Sequence, residues 1–317
     1  MASKGHSAAE ETKPVEVVCF GMITPCIVVA VEQFPQHNTG ALIQGWEEFI
    51  YDDAAIVACL LRQWQILSGL IGTALGDDRR GREVARRLRA AGMQGDIRLV
   101  PDLETPLEID VSDPSGARTY FWRREREVLD TLDSADLSLL EGARMLYVDW
   151  YDGDHILRAM DEADRLDVPV FLNLEHGHQD PEMLYRYARK ATICQAVTDA
   201  AQRRGDPLEV AEKLLEAGAG TALVTLGGDG CLAAGDDETL RVRPPRVSVV
   251  DGAAAGATFS AGYLYGYLRG WDLEQSVRFA TAAASLKCKV LGPRAFPLQE
   301  IEGLARGIGV ERLPISL

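Results

Sequence analysis

The sequence predicts one α/β domain in which a mainly parallel sheet is covered by helices on both faces, with a small antiparallel β lid beside it. Short runs rich in Val, Ile and Leu alternate along the chain with segments of helical periodicity, and such runs are typical of parallel strands buried on both faces. A strong turn signal, Asp113-Pro-Ser-Gly116, separates two β-rich runs and predicts the hairpin of the lid. No linker rich in Gly, Pro or Ser divides the chain, so we expect a single domain.

Hydrophobic periodicity sets the order of the elements. The predicted order is a strand over 15–21, a helix over 54–66, a strand and turn over 66–75, a helix over 79–91, hairpin strands over 107–111 and 119–122, a strand over 145–150, a helix over 155–166, a strand over 168–174, helices over 181–190 and 208–217, a strand over 221–227, and helices over 258–269, 273–284 and 298–305. The hairpin and the polar, strand-like stretch 39–51 interrupt the alternation. We therefore predict a lid from about 34–51 and 105–124.

Charge excludes two classes of partner. The 317 residues include 33 basic and 48 acidic side chains, which gives a net charge of −15 at neutral pH. A field of this sign repels phosphate backbones and anionic lipids, so we expect neither nucleic acid nor a membrane surface as a partner. The longest apolar stretch, Val17–Val31, is interrupted by Gly21, Thr24 and Pro25 and is shorter than the ~20 residues that a membrane span needs.

Cysteine usage and the N-terminus indicate the compartment. Six cysteines without a C-x-x-C pair fit reduced thiols better than a disulfide framework or a zinc site. Residues 1–14 are polar and lack the apolar segment of a signal peptide, so we predict a disordered tail there. These features predict a cytoplasmic protein whose folded domain spans 15–317.

Two glycine-rich turns in the C-terminal third carry the chemical signal. The segment 224–230, VTLGGDG, ends a strand, and 249–262, VVDGAAAGATFSAG, leads from a strand into a helix, whereas no P-loop or dinucleotide fingerprint is present. Small residues at 252–257 would let the amides at that helix start approach an anion, and the helix dipole adds to the attraction. A tight, alanine-rich turn without a ligand explains the pattern equally well, so the pattern alone leaves both interpretations open.

Taken together, these segments resemble the ribokinase-like (PfkB) family of carbohydrate kinases over nearly the whole chain. Residues 72–81, GTALGDDRRG, are similar to the family's G-x-x-G-D-D-x-x-G element, and 113–118 and 225–230 resemble its lid hairpin and its T-L-G-x-x-G turn. The signature D-T-x-G-A-G-D-x-F-x-x-G is matched at Asp251, Ala255, Gly256, Phe259 and Gly262. The resemblance implies a ribokinase-like three-layer α/β/α sandwich that uses ATP and Mg²⁺ to phosphorylate a hydroxyl of a sugar or sugar-like small molecule. It leaves open a need for a monovalent cation.

The resemblance also assigns candidate site residues. It implies an anion hole at Ala254, Ala255 and Gly256; nucleotide binding by Thr225, Gly227, Gly230, Thr281 and Ser285; substrate binding by Cys26, Asp52, Asp53, Ile56 and Arg118; and a contact of Asp199 with Mg²⁺ through water. Asp251 is a weaker catalytic candidate, since it keeps a carboxylate near the anion hole.

Several of these positions depart from the family's pattern. The second aspartate of the signature, the family's catalytic base, is Ala257 here, and a methyl group cannot accept a proton. Ala254 replaces the signature's first glycine, and Cys26 replaces the aspartate that binds sugar hydroxyls. Residues 51–56 replace the substrate-side G-G-x-x-x-N, and 196–199 replace the N-x-x-E that organises Mg²⁺. Changes at so many positions suggest divergence of the whole site.

Three functional hypotheses follow. General-base catalysis supplies 10²–10⁴-fold, about 3–5 kcal/mol, while phosphoryl transfer depends mostly on positioning, so a kinase without the base would be slow but still active. The second hypothesis is a pseudokinase that binds nucleotide or metabolite as a sensor or regulatory subunit. The third is other chemistry on the same scaffold, using His176, His178 or Cys26.

Three further features allow two interpretations each. Residues 149–152 end a strand and would line the substrate pocket or cap the next helix. Residues 175–180 include residue types that bind metals, although a polar loop at the cleft explains them better. Cys26 is better explained as a buried thiol than as a nucleophile. On the lid, Trp122 with Arg118, Arg123 and Arg124 would gate the site or form a homodimer by pairing with the lid of a second copy.

Overall fold

The structure, a computed structural model, describes residues 15–115, 117–197, 206–235 and 237–314. The predicted tail 1–14 lies outside the described residues. The strands are β1 (Val17–Gly21), β2 (Thr24–Val31), β3 (Ile43–Tyr51), β4 (Ser68–Gly72), β5 (Leu75–Gly76), β6 (Leu99–Val100), β7 (Leu107–Ser112), β8 (Arg118–Arg123), β9 (Met145–Asp149), β10 (Val170–Glu175), β11 (Ile193–Val197), β12 (Thr221–Thr225), β13 (Cys231–Ala234), β14 (Thr239–Val242) and β15 (Val310–Leu313). The helices are α1 (Asp53–Gln63), α2 (Arg79–Ala90), α3 (Arg126–Asp130), α4 (His155–Arg165), α5 (Pro181–Ala188), α6 (Pro207–Glu216), α7 (Ala255–Leu268), α8 (Leu273–Lys287) and α9 (Leu298–Ala305).

The central sheet is mainly parallel, as predicted. Its order is β15-β14-β13-β12-β11-β10-β9-β1-β4. The six strands from β12 to β4 pair in parallel, whereas β13, β14 and β15 extend the sheet antiparallel at one edge. The predicted elements do not include those three short edge strands.

Alternate residues of each central strand enter two separate cores, which gives three layers. On β9, Met145 and Tyr147 pack in the core that includes α1, α7 and α8, while Leu146 and Val148 pack in the core that includes α4, α5 and α6. Both faces of the strand are therefore buried, and this explains why its first four residues, 145–148, are all hydrophobic. The predicted ribokinase-like α/β/α sandwich is confirmed.

The lid is a four-stranded sheet in the order β3-β2-β7-β8. The segments 34–51 and 105–124 contain β3, β7 and β8, but the lid also includes β2, which comes directly after the first strand of the central sheet. The chain thus passes from sheet to lid near Gly21 and Met22. The lid therefore has one strand more than the predicted segments contain.

Helix α7 begins at Ala255, three residues before the predicted start at 258. This earlier start places Ala257 in the first helical turn, where backbone amides have no partner within the helix. No helix among the described ranges is long and apolar enough to span a membrane.

Candidate active site

The candidate site lies where the carboxyl ends of β1, β9 and β10 meet the lid and the start of α7. In open parallel sheets this edge is where ligands bind. Asp149 and Glu175 are the last residues of β9 and β10, and the lid approaches α7 through a hydrogen bond from Ser112 Oγ to Asp251 Oδ1 of 2.6 Å. We name the two parts of the site by their predicted roles, the substrate half at the strand ends and the phosphate half at α7.

The loop before α7 presents free amides at the helix start. The amide of Ala253 donates to Asp251 Oδ1 at 2.9 Å, and that of Ala255 donates to the Gly252 carbonyl at 3.3 Å. Among the described residues, no backbone acceptor takes the amides of Gly256 and Ala257, and no side chain caps the helix. The amide of Ala254 likewise has no acceptor among the described residues, so these donors and the positive end of the dipole remain for an anion. The amide of Ala255, which the sequence analysis assigned to the anion hole, is already bonded.

Ala254 and Ala257 differ in their structural consequences. Ala254 caps α7 in the left-handed conformation, at φ 56° and ψ 13°, where glycine is favoured. Ala257 is buried and offers only a methyl group beside the free amides. The helix start therefore has donors that an anion could use, but the side chains of Ala254 and Ala257 offer no proton acceptor.

Asp251 is fully engaged in hydrogen bonding. Its Oδ1 accepts from Ser112 and Ala253, and its Oδ2 accepts from Lys287 Nζ and the Gly292 amide, each at 2.8 Å. Burial alone would raise the pKa of Asp251, but the Lys287 ammonium and these hydrogen bonds outweigh burial, so the pKa lies below its usual range. Asp251 therefore orders the loop and has no lone pair left for an incoming proton.

The nucleotide-side candidates lie on β12, the turn after it and α8. Gly227 and Gly230 have positive φ angles of 56° and 95°, and a side chain at Gly230 would collide with the carbonyl oxygen of Val242. Ser285 Oγ donates to the Thr281 carbonyl at 2.7 Å, and the Thr225 hydroxyl makes a long contact of 3.4 Å to the Ala196 carbonyl. Thr281 Oγ1 is buried without a partner among the described residues, which is typical of a group that a ligand satisfies.

A charged network joins the lid to the substrate half. Arg124 Nη2 on the lid side lies 2.9 Å from Asp52 Oδ1 and 2.7 Å from Glu108 Oε2, and Thr24 Oγ1 donates to Asp52 Oδ2. Asp52 has a φ of 66°, a conformation that favours glycine, and the resemblance places the family's glycine pair at this turn. Arg118 is exposed and donates to the Gly252 carbonyl at 3.2 Å. Lid and body therefore meet at both halves of the site.

Three carboxylates converge at the strand ends around Asn173. Its Nδ2 donates to Asp149 Oδ2 at 2.7 Å and to Asp53 Oδ2 at 3.0 Å, with Glu175 Oε1 at 3.4 Å. Burial, and then the neighbouring carboxylates, raise the pKa values of Asp53 and Asp149, and burial raises the pKa of Glu175. The ligand oxygens of the three carboxylates lie within 4.8 Å of one another, but a carboxylate cluster alone does not define a metal site. Such groups suit the hydroxyls of a polyol.

Several sequence-based assignments change in this structure. Glu175 joins Asp53 and Asp149, while the His178 Nδ1 contacts the Glu175 carbonyl, so residues 175–180 do not converge as one ligand set. Asp149 both lines the site and accepts from the Tyr151 amide, which combines the two predicted roles. Asp199 lies outside the described residues.

Cys26 and Ile56 are core residues and do not belong to the polar groups of the substrate half. Both side chains are 1% exposed and pack in the apolar core. Burial raises the pKa of Cys26 far above its usual value, so the thiol stays neutral.

Sequence reasoning missed Asn173 and Asp110. Asn173 is the last but one residue of the predicted strand 168–174, and a polar residue near the carboxyl end of a parallel strand was the available signal. Asp110 lies in the polar alternation Glu108, Asp110, Ser112, and this polar side of the hairpin is its buried face.

Comparison with known proteins identifies the family. The family model described as pfkB family carbohydrate kinase matches residues 53–300. The chain is 28% identical over 267 residues to a nucleoside kinase of Methanothermobacter thermautotrophicus, which covers 81% of this chain and 84% of that protein.

Solved structures agree on the fold. An Arabidopsis thaliana ribokinase complexed with ribose and ATP aligns with a TM-score of 0.70 at 18% identity, covering 92% of this chain and 99% of that one. An Escherichia coli protein described as a ribokinase II, in complex with ATP and Mg²⁺, aligns with a TM-score of 0.78 at 19% identity, covering 92% and 99%. At these identities the likeness establishes the fold alone.

Proposed function

Since the chain belongs to the pfkB family of carbohydrate kinases, we propose that it transfers the γ-phosphoryl group of ATP to a hydroxyl of a sugar or sugar-like small molecule. The observation that supports this most is the start of α7, where the amides of Gly256 and Ala257 have no backbone acceptor among the described residues. These donors stand next to a substrate half rich in carboxylates. A phosphate site beside hydroxyl-binding groups is what this reaction requires.

The residues present fit ATP. The α7 amides would bind the transferred phosphate, and the buried hydroxyl of Thr281, unpartnered within the described ranges, would serve the nucleoside. Mg²⁺ bound with ATP would neutralise part of the charge of the phosphates. Asp199, which the resemblance assigns to that ion, lies outside the described residues, so the proposal depends on the amides and on the described side chains.

The reaction should be slow for a member of this family. The protein contributes positioning through the lid contacts and electrostatic stabilisation through the α7 amides. Ala257 contributes neither hydrogen bond nor proton acceptor through its side chain, and a general base is worth 10²–10⁴-fold, so the rate is lowered by whatever part of this factor no other carboxylate restores.

Nucleotide-dependent melting followed by a transfer assay tests the proposal. At a hundredfold excess over Kd, Mg·ATP should add about 2.7 kcal/mol to the free energy of unfolding and raise the melting temperature. ADP release is then measured with D-ribose, D-fructose, inosine and D-gluconate as acceptors. Kinase activity requires that ADP is released only in the presence of one of these acceptors and that the phosphorylated form of that acceptor is detected. If Mg·ATP does not raise the melting temperature, the proposal is contradicted.

A pseudokinase is the second candidate, and Ala257 is the observation that favours it. In that case Mg·ATP raises the melting temperature but no acceptor releases ADP. Replacement Ala257→Asp separates the two, since a kinase whose substrate half is intact should gain turnover. A variant that binds Mg·ATP and still transfers to no acceptor supports the binding role.

The lid suggests a homodimer. Its outer face carries large exposed aromatic side chains, and Trp46 and Phe121 are 59% and 55% exposed. Pairing with the outer face of a second lid would remove this surface from water. Analytical sedimentation of the wild-type protein and of Trp46→Lys tests the pairing. The proposal requires that the wild-type protein is a dimer and that the substitution dissociates it.

We also propose a cytoplasmic location, which the six free thiols support.

A further inference from the structure

Three side chains on the inner face of β7 line the gap between lid and body. They are Glu108, Asp110 and Ser112, and all three are buried. Glu108 is paired with Arg124, and Ser112 donates to Asp251. Asp110, between them, has no exposed surface, and neither of its carboxylate oxygens has a hydrogen-bond partner among the described residues.

The position of Asp110 follows from the strand register. Residues two apart on a strand face the same way and lie about 7 Å apart. Asp110 is therefore one such step from Ser112, which touches the loop leading to the α7 amides, and one step from Glu108, which belongs to the network with Asp52. An acceptor hydroxyl has to lie between those two halves, and Asp110 faces that interval from the lid.

The groups around Asp110 leave its carboxylate available. Those that face it are Glu108 on its own strand, Arg118 and Tyr120 on β8, Cys26 on β2, Tyr51 at the end of β3, and Asp251 with Lys287 at the α7 loop. The Tyr51 hydroxyl is also buried without a partner within the described ranges. A ligand that places a hydroxyl here would satisfy both groups at once.

The other acids beside the loop are committed to structure. Asp251 accepts four hydrogen bonds, and Glu108 and Asp52 share the guanidinium of Arg124. Ala257 has no acceptor atom. Asp110 is the carboxylate at this junction that has no protein partner within the described ranges.

We propose that Asp110 replaces the missing aspartate at Ala257 as the proton acceptor for the substrate hydroxyl. This inference rests on the proposed kinase function. In the step, the hydroxyl oxygen forms a bond to the γ-phosphorus of ATP, and the bond from that phosphorus to the bridging oxygen breaks. Its electron pair leaves with ADP, and the hydroxyl proton passes to the carboxylate of Asp110.

The acidity of Asp110 suits this task. Burial, and next the nearby carboxylate of Asp251, raise the pKa of Asp110 to about 7, while Arg118 opposes the shift. A general base works best when its pKa is near the working pH. The rate should therefore fall as the pH drops below about 7, because protonated Asp110 cannot accept a second proton.

The experiment compares Asp110→Asn, Ala257→Asp and the double variant, with Glu48→Gln on the exposed face of the lid as the control. The acceptor is the one that gives most ADP release with the wild-type protein. We expect Asp110→Asn to lose about 10²-fold or more in kcat with a smaller change in KM, and to lose the pH dependence near 7. The double variant should recover at least tenfold, and Glu48→Gln should match the wild type.

Each alternative outcome has a distinct meaning. A wild-type kcat and pH profile in Asp110→Asn overturns the inference, and a change in KM alone overturns it by making Asp110 a substrate ligand. If only the variants that carry Ala257→Asp transfer phosphate, Asp110 is not the proton acceptor, although the protein still binds ATP. Absence of both Mg·ATP binding and transfer in every variant overturns the proposed function itself. Melting temperature monitors folding, and Asp110→Asn should not lower it, since the change removes an unpaired buried charge.

Discussion

The ammonium of Lys287 lies 2.8 Å from both the carbonyl oxygen and the Oδ2 atom of Asp251, and neither side chain has any exposed surface. This pair links the end of α8 to the loop that leads into α7. Because Asp251 also accepts from the Ala253 amide, the lysine fixes the loop that presents the free amides. The conformation of the loop before α7 therefore depends on the ion pair between Lys287 and Asp251, which lies outside the candidate phosphate site.

Replacing Lys287 by methionine should destabilise the protein by about 3–5 kcal/mol, because it leaves the carboxylate of Asp251 buried without its cation. Urea unfolding measures the change. Lys289→Met, two residues away and exposed, is the matched control and should stay within about 0.5 kcal/mol of the wild type. A loss below 1 kcal/mol for Lys287→Met would show that water or a neighbouring group compensates the carboxylate.

The same pair bears on a monovalent cation. An ammonium already contacts the carbonyl and carboxylate oxygens of Asp251, the hard oxygen ligands that an alkali ion would use there. We expect the melting shift caused by Mg·ATP to be equal in KCl and in tetramethylammonium chloride of the same ionic strength. A shift that requires K⁺ would place an alkali ion elsewhere in the site.

The sequence revealed the central sheet because its strands are buried on both faces. The run 145–148 shows this directly, since all four residues are hydrophobic and buried. The lid strand β2 was missed for a related reason: Cys26 and Val28 face inward, but Pro25, Ile27 and Val29 on its outer side are apolar too. Without alternation, no periodic signal separates a lid strand from a central one.

The site was harder to predict because its polar residues are buried. Alternating polar residues usually mark a solvated strand face, yet Glu108, Asp110 and Ser112 face the body. The partnership of Asp251 with Lys287 spans 36 positions, and nothing in the local pattern of α8 distinguishes this lysine from a surface lysine. Family resemblance identified the α7 loop, but it could not identify side chains that depart from the family.

The left-handed cap of α7 predicts a stabilising substitution. Ala254 has a φ of 56°, which costs a residue with a Cβ atom about 1 kcal/mol or more relative to glycine. Ala254→Gly should therefore raise the free energy of unfolding by about 1 kcal/mol, after part of the gain is offset by the greater freedom of glycine in the unfolded chain. The neighbouring Ala253→Gly, where φ is not positive, should lower it. Equal effects at the two positions would contradict strain at Ala254.

Stability should fall as the pH rises through neutrality, in part because of Asp152. Burial, and then the carboxylate of Asp52, raise the pKa of Asp152 to about 8, whereas an unfolded aspartate titrates near 4. Between those values the folded state holds a proton that the unfolded state has lost, so stability decreases with pH by at most about 1.4 kcal/mol per unit for this group. Asp152→Asn keeps an acceptor for the Met22 amide and should reduce that slope in urea unfolding at pH 5 to 8. The exposed Asp102→Asn should leave it unchanged, and an unchanged slope in Asp152→Asn would refute the assignment.

A carboxylate introduced at Gly256 tests the phosphate site without disturbing the fold. A Cβ atom at Gly256 would meet nothing within 4 Å, and a negative charge in the first turn of a helix stabilises it by about 0.3–1 kcal/mol. Gly256→Glu should therefore keep or raise the melting temperature of the free protein, yet abolish the shift caused by Mg·ATP, because the new charge repels the phosphates at the α7 amides. Gly303→Glu on α9 is the matched control, since its Cβ position is also open and lies on an exposed helix. If Gly256→Glu binds Mg·ATP as the wild type does, the nucleotide phosphates do not lie at the start of α7.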